Sequence, residues 1–458
     1  MTGRPILTAA EMRTAEAAAV AAGCSERTLM ERAGSAAAEA IRRYTGRLPA
    51  LVLCGPGNNG GDGYVIARLL QEAGIRVRVA ALGEPRTEAA RAARQAWSGE
   101  VEDVMAATPA RLLVDALFGT GLARPLDAAL SKRLGALAAA AKIRAAIDLP
   151  SGCATDDGSI LSPVADFDLT VTFASLKPSH LLQPAARHMG RIVVADIGVE
   201  AQTRTIEIAR PKLRTPGPED HKYTRGYVLV VGGAMHGAAA LAAGAAGRAG
   251  AGYVVLVGDG ADVPKSVIRV SPDRLEEMLA DKRVGSVVVG PGLGRDMPAW
   301  EMLAKAAHQP HPTILDGDAL WLIGEMGIPY RRKEGLIATP HCGEFRHMFG
   351  DGGSKIEAAR EAAERTGMTV VYKGPDTVVA APDGRAAVAS ASAHWLATAG
   401  TGDVLSGVIA TMTAQGLPNF EAACAGVWLH GRAAELAGPG LIADDLLGHL
   451  PAALAECL

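Results

Sequence analysis

Three stretches of this chain combine residue types and spacings suited to chemistry. The first is CGPGNNGGDGYVIARLL, from Cys54 to Leu70. Gly55, Gly57 and Gly60 satisfy G-x-G-x-x-G between an apolar run and a helix-like one, the pattern of a dinucleotide-binding turn. Glycines after a strand often serve turn geometry alone. Asn58, Asn59 and Asp62 lie inside the loop, where a carboxylate would repel a pyrophosphate. The acidic residue expected after the second strand is only loosely represented by Glu84, which disfavours plain hydride transfer. Other apolar runs end at Asp115, followed by FGTGL, and at Asp148-Leu149-Pro150-Ser151. Either aspartate alone would serve equally as a helix cap or an ion-pair partner. Ligands of open α/β sheets bind beyond the carboxyl ends of the strands. Asn58, Asn59, Asp115 and Ser151 therefore bring amide, carboxylate and hydroxyl oxygens to one edge. Hard cations take such oxygens, and a single carboxylate suits potassium or sodium over a divalent ion. The loop's N–H groups can still hold a phosphate.

The second stretch is Ala399-Gly400-Thr401-Gly402-Asp403-Val404, ahead of the apolar VLSGVIATM. A G-x-G-D turn at a helix N-terminus directs N–H groups and the positive dipole end at an anion. Its aspartate either caps the helix or takes a proton from a hydroxyl beside a transferring phosphoryl group. The third, Lys373-Gly374-Pro375-Asp376-Thr377, ends a strand. It is a hairpin bend, or a cradle holding nucleotide phosphates through Lys373, Thr377 and backbone amides. Gly290-Pro291-Gly292-Leu293-Gly294 and Thr339-Pro340-His341-Cys342-Gly343-Glu344 follow further strands. A lone histidine such as His341 is more often structural than catalytic, and His221, His308 and His430 belong to no motif.

The elements that must position these groups are legible as alternation. Thr8-Ala9-Ala10-Glu11 has capping-box spacing and predicts a helix to about Ala22. Ser25 predicts the cap of the next, with Leu29, Met30, Ala33, Ala37 and Ile41 on one side. From Ala50, short apolar runs (ALVLC, VRVAAL, RLLVDALF, AAIDL, LTVTFAS, RIVVADIGV) alternate with helical segments, which implies parallel strands covered on both faces. The Pro-rich, non-periodic stretch from Ala209 to Gly226 breaks the pattern, and a second β/α series starts at GYVLVVGG. The expectation is two three-layer α/β/α domains, residues 1–210 and 211–458. The second series includes a hairpin, MTVVYKG/TVVAAPDG, with Pro382-Asp383-Gly384 supplying turn chemistry.

Bulk properties narrow the classes. At 458 residues the chain exceeds one ordinary core. Charged residues make up 21% and the formal charge is −3, so no basic footprint points to nucleic acid or an anionic membrane. Six dispersed cysteines without a C-x-x-C pair argue against a metal cluster and suit reduced thiols. No signal-peptide pattern or long apolar span is read, so a cytoplasmic protein is expected, assembling as a homo-oligomer.

GNNGGDG, VDALFGTGL, AIDLPSG and TFASLKP resemble, in order and spacing, the NAD(P)H-hydrate epimerase domain, over approximately residues 8 to 200. The resemblance implies a Rossmann-like fold, with substrate contacts at Asn58, Asn59, Gly60, Gly61 and Asp62. It implies further contacts at Gly119, Thr120, Gly121, Leu122, Ala123, Arg124, Pro125 and Asp148. It implies potassium on Asn59, Asp115 and Ser151. Epimerising a ring hemiaminal needs C–O cleavage to an iminium, or ring opening, and re-addition from the other face, and a positioned carboxyl group can move those protons. Asp148 is the candidate, with Lys177 of the LKP stretch a second; a solvated surface lysine is the plainer expectation there.

VVGGAMHGAAALAAGAAGRAGAG, VVVGPGLG, ILDGDAL, ATPHCGEF, YKGPDTVVA and TAGTGDVLSG are similar to the ADP-dependent NAD(P)H-hydrate dehydratase, a ribokinase-like fold, over approximately residues 215 to 458. This implies hydrate contacts at Ala238, Gly294, His341 and Asp403. Adenine-nucleotide contacts are implied at Lys373, Gly374, Pro375, Asp376, Thr377 and Gly402, with ADP as co-substrate, Mg2+ accompanying it and Asp403 as base. Cys342, where the family usually has proline, and Met235-His236 depart from its pattern. The two domains fused match the bifunctional NAD(P)H-hydrate repair family, whose substrates are NAD(P)H hydrates and an adenine nucleotide. An ATP-dependent ribokinase-type small-molecule kinase with an accessory binding domain shares the ILDGDAL, TPHCGE and TAGTGD set and is the competing expectation.

Overall fold

The computed structural model describes residues 3–260, 262–327, 335–390 and 393–458. The chain divides between Thr203 and Arg204 into two compact units.

In the first unit, Thr8 and Glu11 exchange the expected capping-box bonds (Thr8 N to Glu11 Oε2 2.8 Å, Glu11 N to Thr8 Oγ1 3.2 Å) and start helix Ala9–Ala21. Ser25 accepts from Thr28 N at 3.1 Å and starts helix Glu26–Thr45, which buries Leu29, Met30, Ala33, Ala37 and Ile41. Seven parallel strands follow: β1 (Ala50–Cys54), β2 (Val77–Ala81), β3 (Val101–Asp103), β4 (Leu112–Ala116), β5 (Ile143–Ile147), β6 (Leu169–Phe173) and β7 (Arg191–Ala195). Their order is β3-β2-β1-β4-β5-β6-β7. Period-two alternation splits β1 between the layers. Ala50, Val52 and Cys54 pack with Met30, Ile41 and Tyr64, whereas Leu51 and Leu53 pack with Leu130, Leu134 and Leu137. The strand order reverses between β1 and β4, and ligands of such sheets enter beyond the carboxyl ends at that point.

The second unit holds β8 (Thr205–Glu207), β9 (Tyr227–Val231), β10 (Tyr253–Val257), β11 (Ile268–Val270), β12 (Ser286–Val289) and β13 (Thr313–Leu315). It continues with β14 (Leu336–Ala338), β15 (Thr369–Tyr372), β16 (Val378–Ala380) and β17 (Ala386–Val388). The sheet order is β11-β10-β9-β12-β13-β14-β15-β16-β17-β8, antiparallel only at β15/β16 and β16/β17. The expected hairpin is β15/β16, but its bend is Lys373–Thr377; Pro382-Asp383-Gly384 turns β16 into β17 instead. Val228 and Val230 pack with Ala242, Leu405 and Ile409 on one face, and Leu229 and Val231 with Leu303 and Leu320 on the other. Helix Thr401–Ala414 is buried along almost its whole length, which fixes the position of its N-terminal turn. No described helix is long and apolar enough to cross a membrane, and the six cysteines are free.

Candidate active sites

The turn after β1 is shaped by contacts that exclude side chains. A Cβ on Gly55 would lie 1.8 Å from Leu117 O, and one on Gly60 would lie 1.8 Å from Gly55 O. Gly60→Ala is therefore expected to cost at least the roughly 1–3 kcal/mol of an overpacked core, read as a lowered thermal midpoint of the first unit. The turn delivers the N-terminus of helix Asn58–Glu72 to the sheet edge. Asn58 is exposed there and its Oδ1 accepts from Thr87 Oγ1 at 2.6 Å. Asn59 Nδ2 is buried without a partner. Asp115, fully buried, accepts from Leu117 N (3.1 Å), Ser151 N (2.9 Å) and Ser151 Oγ (2.8 Å). Burial nevertheless pushes its carboxyl above the usual range.

Asp148, just past β5, adopts φ +64°, a left-handed conformation costly for a non-glycine residue. Its N–H donates to Val171 O at 2.7 Å, and its C=O faces His180 Nε2 at 2.8 Å. Lys177 N–H donates to His180 Nδ1 at 2.8 Å, so Nε2 carries the hydrogen given to Asp148. Burial and the nearby Lys177 ammonium push the His180 ring down to about 4, and it stays neutral. The Asp148 carboxylate meets Lys177 Nζ (2.8 Å), Thr172 Oγ1 (2.9 Å) and Thr120 N (3.0 Å). Burial works to raise this carboxyl, but the Lys177 charge and hydrogen bonds outweigh it and hold it below the usual range.

Lys177 is not the solvated lysine expected from sequence. It is 1% exposed, and its ammonium also meets Thr172 Oγ1 (2.8 Å) and Phe173 O (3.0 Å). Its donors are engaged by Asp148, Thr172 and Phe173. Asp62 has the opposite character: burial, then the charges of Asp148 and Glu16, push it well above the usual range. Glu16, on the first helix, is likewise raised by burial and by Asp148.

The Gly119–Pro125 segment closes this site on one side. A Cβ on Gly119 would sit 2.8 Å from Asp148 Oδ2 and 3.2 Å from Asn59 Oδ1, so the three lie together. Gly60 and Gly61 are buried in the helix start, whereas Gly121, Ala123, Arg124 and Pro125 run out to solvent. Leu122, Arg124 and Pro125 border an adjacent cavity of about 450 Å³.

In the second unit, the ends of β13, β14 and β15 meet the start of helix Thr401–Ala414. Asp316, 2% exposed, binds Lys373 Nζ at 2.7 Å and accepts from Ser406 Oγ at 2.7 Å. Gly402 leaves room beside this pair; its Cβ would lie 3.1 Å from Lys373 Nζ. Asp403, one residue on, is pushed up to about 7 by burial and the Asp316 charge, against the pull of Lys373. Lys373 N–H donates to Pro340 O at 2.8 Å, bringing the His341 turn alongside. His341 caps helix Cys342–Phe349: its Nδ1 accepts from Glu344 N at 3.1 Å, and its N–H donates to Glu344 Oε2 at 2.8 Å. Gly294 donates to Asp318 Oδ2 at 3.0 Å, and Met235 N–H donates to Gly292 O at 2.8 Å. Ala238 lies next to that turn, 3.1 Å from a Cβ on Gly292.

A cavity of about 580 Å³, within the range of small-molecule sites, opens between Lys373–Thr377, the Thr401–Gly402 turn and helix Asn419–Ala437. Lys373, Gly374, Pro375, Thr377 and Gly402 line it. Asp376 instead turns to Lys355 (2.5 Å), and Thr377 Oγ1 donates to Gly374 O at 2.8 Å, closing the hairpin bend. His430, from the helix wall, also lines the cavity. Sequence reasoning had no hold on Glu16, His180 or His430, which lie in no motif; Thr172 lies in TFASLKP, Ser406 in TAGTGDVLSG and Asp316 in ILDGDAL, though no role was attached to them.

Together these features define an enzyme of two α/β units with an electrostatically tuned aspartate in each. Residues 26–179 match the family described as YjeF-related protein N-terminus, and residues 228–450 match NAD(P)H-hydrate dehydratase. The chain is 33% identical to the bifunctional NAD(P)H-hydrate repair enzyme Nnr of Salinibacter ruber, over 99% of this chain and 96% of that one. Its identity to the Escherichia coli protein of the same name is also 33%, over 92% of this chain and 88% of that one. A ribokinase-like superfamily protein from Enterococcus faecalis superposes with TM-score 0.50 at 22% identity, covering 56% of this chain and 97% of that one, and shows the fold of the second unit. The chain belongs to the bifunctional NAD(P)H-hydrate repair enzyme family, with an epimerase unit followed by a dehydratase unit.

Proposed function

We propose that the first unit interconverts the R and S hydrates of NADH or NADPH and that the second dehydrates the S form with ADP, giving AMP, phosphate and the restored dinucleotide. The observation that carries this reading is the opposite tuning of two aspartates, Asp148 held ionised and Asp403 raised to about 7. In the first site, the ring-nitrogen lone pair expels the ring hydroxyl to leave an iminium, and the Asp148 carboxylate takes the proton of the water that re-adds to the opposite face. Asp62, its carboxyl pushed well above the usual range by burial and neighbouring charge, donates to the departing hydroxyl; carboxyls pushed apart in this way divide acid and base roles. Asn58, Asn59, Gly60, Gly61 and the Gly119–Pro125 segment bind the dinucleotide.

Potassium fits Asn59, Asp115 and Ser151. Asp115 is a buried carboxylate with neutral hydrogen-bond partners only, the Ser151 hydroxyl 2.8 Å away among them. A cation there would add positive charge beside the substrate diphosphate.

In the second site, Asp403 takes the proton of the hydrate hydroxyl as that oxygen attacks the β-phosphorus of ADP and AMP leaves. The ring-nitrogen lone pair then expels phosphate, and loss of a ring proton restores the double bond. N–H groups of the Gly400–Gly402 turn and the Lys373 ammonium balance the transferred charge. Ala238, Gly294 and His341 line the hydrate end, and the Lys373–Thr377 bend lines the nucleotide end. Among the described residues no three His, Cys, Asp or Glu side chains gather into a metal cage. Mg2+ here would be held chiefly by the nucleotide's own phosphates.

Incubating S hydrate with ADP tests this reading: free phosphate, AMP and dihydronicotinamide absorbance are expected, whereas a stable phosphomonoester would mean a kinase. The pH dependence is a second expectation. As a base, Asp403 must be ionised, so dehydratase kcat/KM rises with a midpoint near pH 7 and levels off above it. Epimerisation shows no such fall on acidification through pH 7, because Asp148 stays ionised.

A further inference from the structure

Behind the Lys373–Thr377 bend stands a cation that nothing above uses. The cavity touches Lys373, Gly374, Pro375 and Thr377 but not Asp376, whose carboxylate turns to Lys355 Nζ at 2.5 Å. Lys355 lies in no motif. It opens helix Lys355–Thr366, which is anchored to the core by Ile356, Ala359 and Ala363. Its ammonium also donates to Lys373 O at 3.4 Å and stands 4.6 Å from the centre of the Tyr372 ring. One cation on a packed helix therefore meets the last residue of β15 and the first and fourth residues of the bend. Gly374 leaves room for it, since a Cβ there would lie 2.6 Å from Nζ. The two side chains of the pair are 17% and 8% exposed, so solvent ions screen it little.

Lys373 is consequently pinned at three points. Its N–H donates to Pro340 O at 2.8 Å, its C=O accepts from Lys355, and its Nζ binds Asp316 at 2.7 Å. The bond from Thr377 Oγ1 to Gly374 O closes the bend on itself, whereas the bonds of Lys355 tie it to a helix. A binding loop fixed before its ligand arrives spends less affinity on ordering. We propose that Lys355 is the positioning residue of the nucleotide site, its ammonium holding Asp376 and the Lys373 carbonyl from behind so that the bend is set to receive ADP. This rests on the nucleotide assignment above. It also gives Asp376 a place in nucleotide binding although its carboxylate faces away from the cavity.

The test removes the pair as a unit, with Lys355→Met and Asp376→Asn together in the full chain. One positive and one negative charge leave, so the net charge near ADP is unchanged and no buried ion is stranded. The calorimetric Kd for ADP, and its KM in dehydration of S hydrate, should each rise about 10- to 100-fold, the effect of ordering the bend on binding. The value of kcat at saturating ADP and the KM for S hydrate should stay native. Lys355→Arg, which keeps the charge and the donors, should hold ADP within about 3-fold of the native affinity. Native Kd and KM for ADP in the double variant overturn the proposal. So does a rise in the KM for S hydrate together with a fall in kcat, the mark of a general loss of structure. Should the double variant not fold, Asp376→Asn alone decides: a rise in Kd for ADP of at least about 3-fold is expected, and an unchanged Kd overturns the proposal. If the native chain binds no ADP, the nucleotide assignment fails and this proposal falls with it; ADP binding that the variants leave unchanged overturns the role of Lys355 alone.

Discussion

Asp403→Asn is expected to lower ADP-dependent dehydration of the S hydrate by about 10²- to 10⁴-fold, the range a positioned general base supplies. Epimerisation in the same preparation should continue at the native rate. Position explains the size of the effect. Asp403 occupies the first turn of a helix buried along almost its whole length, so no other carboxylate can swing into its place. Asp316 and Glu344, the nearest acids in charge terms, are committed to Lys373 and to the His341 cap. The variant should also be no less stable than the native chain above neutral pH. An unfolded aspartate ionises near 3.9, whereas folded Asp403 ionises near 7. Ionisation therefore opposes folding, and stability is lost as pH climbs between those values. Asparagine removes that cost. Thermal melts at pH 6 and pH 8 measure it: the native chain loses stability between them through this residue, and the variant does not.

Asp148→Asn has the converse outcome: R-to-S conversion falls about 10²- to 10⁴-fold while dehydration of supplied S hydrate persists. Asparagine tolerates the left-handed backbone, so the φ of +64° adds no strain to the substitution. The stability cost comes from the other partner. Lys177, 1% exposed, loses its carboxylate partner, and breaking such a buried pair costs about 3–5 kcal/mol. Adding Lys177→Met to Asp148→Asn should recover much of that stability without recovering epimerisation. A double variant as inactive and as unstable as the single one would show that Lys177 is not held there for the sake of Asp148.

The strand-end aspartates were legible because each follows an apolar run by a residue or two, and the end of a parallel strand marks the functional edge. Helix starts at Thr8 and Ser25 were legible because a cap is a local hydrogen bond, complete within three residues. What depends on distant partners was not. Strands β3, β8, β11 and β17 have three residues each, too few to show alternation. The pairing of β8 with β17 joins segments about 180 residues apart, so nothing near Thr205 announces it. The burial of Lys177 could not be read from LKP, since it follows from Thr172 and Phe173 on the neighbouring strand end.

All of this depends on two catalytic aspartates serving separate reactions in one polypeptide. The most direct measurement supplies a mixture of the R and S hydrates and excess ADP to each variant alone and then to both mixed. Asp148→Asn should consume the S half and slow abruptly with R hydrate remaining. Asp403→Asn should consume neither epimer, and adding it to the stalled reaction should restart consumption of R. Failure of the mixture to consume R hydrate, or full consumption by Asp148→Asn alone at the native rate, would contradict the account.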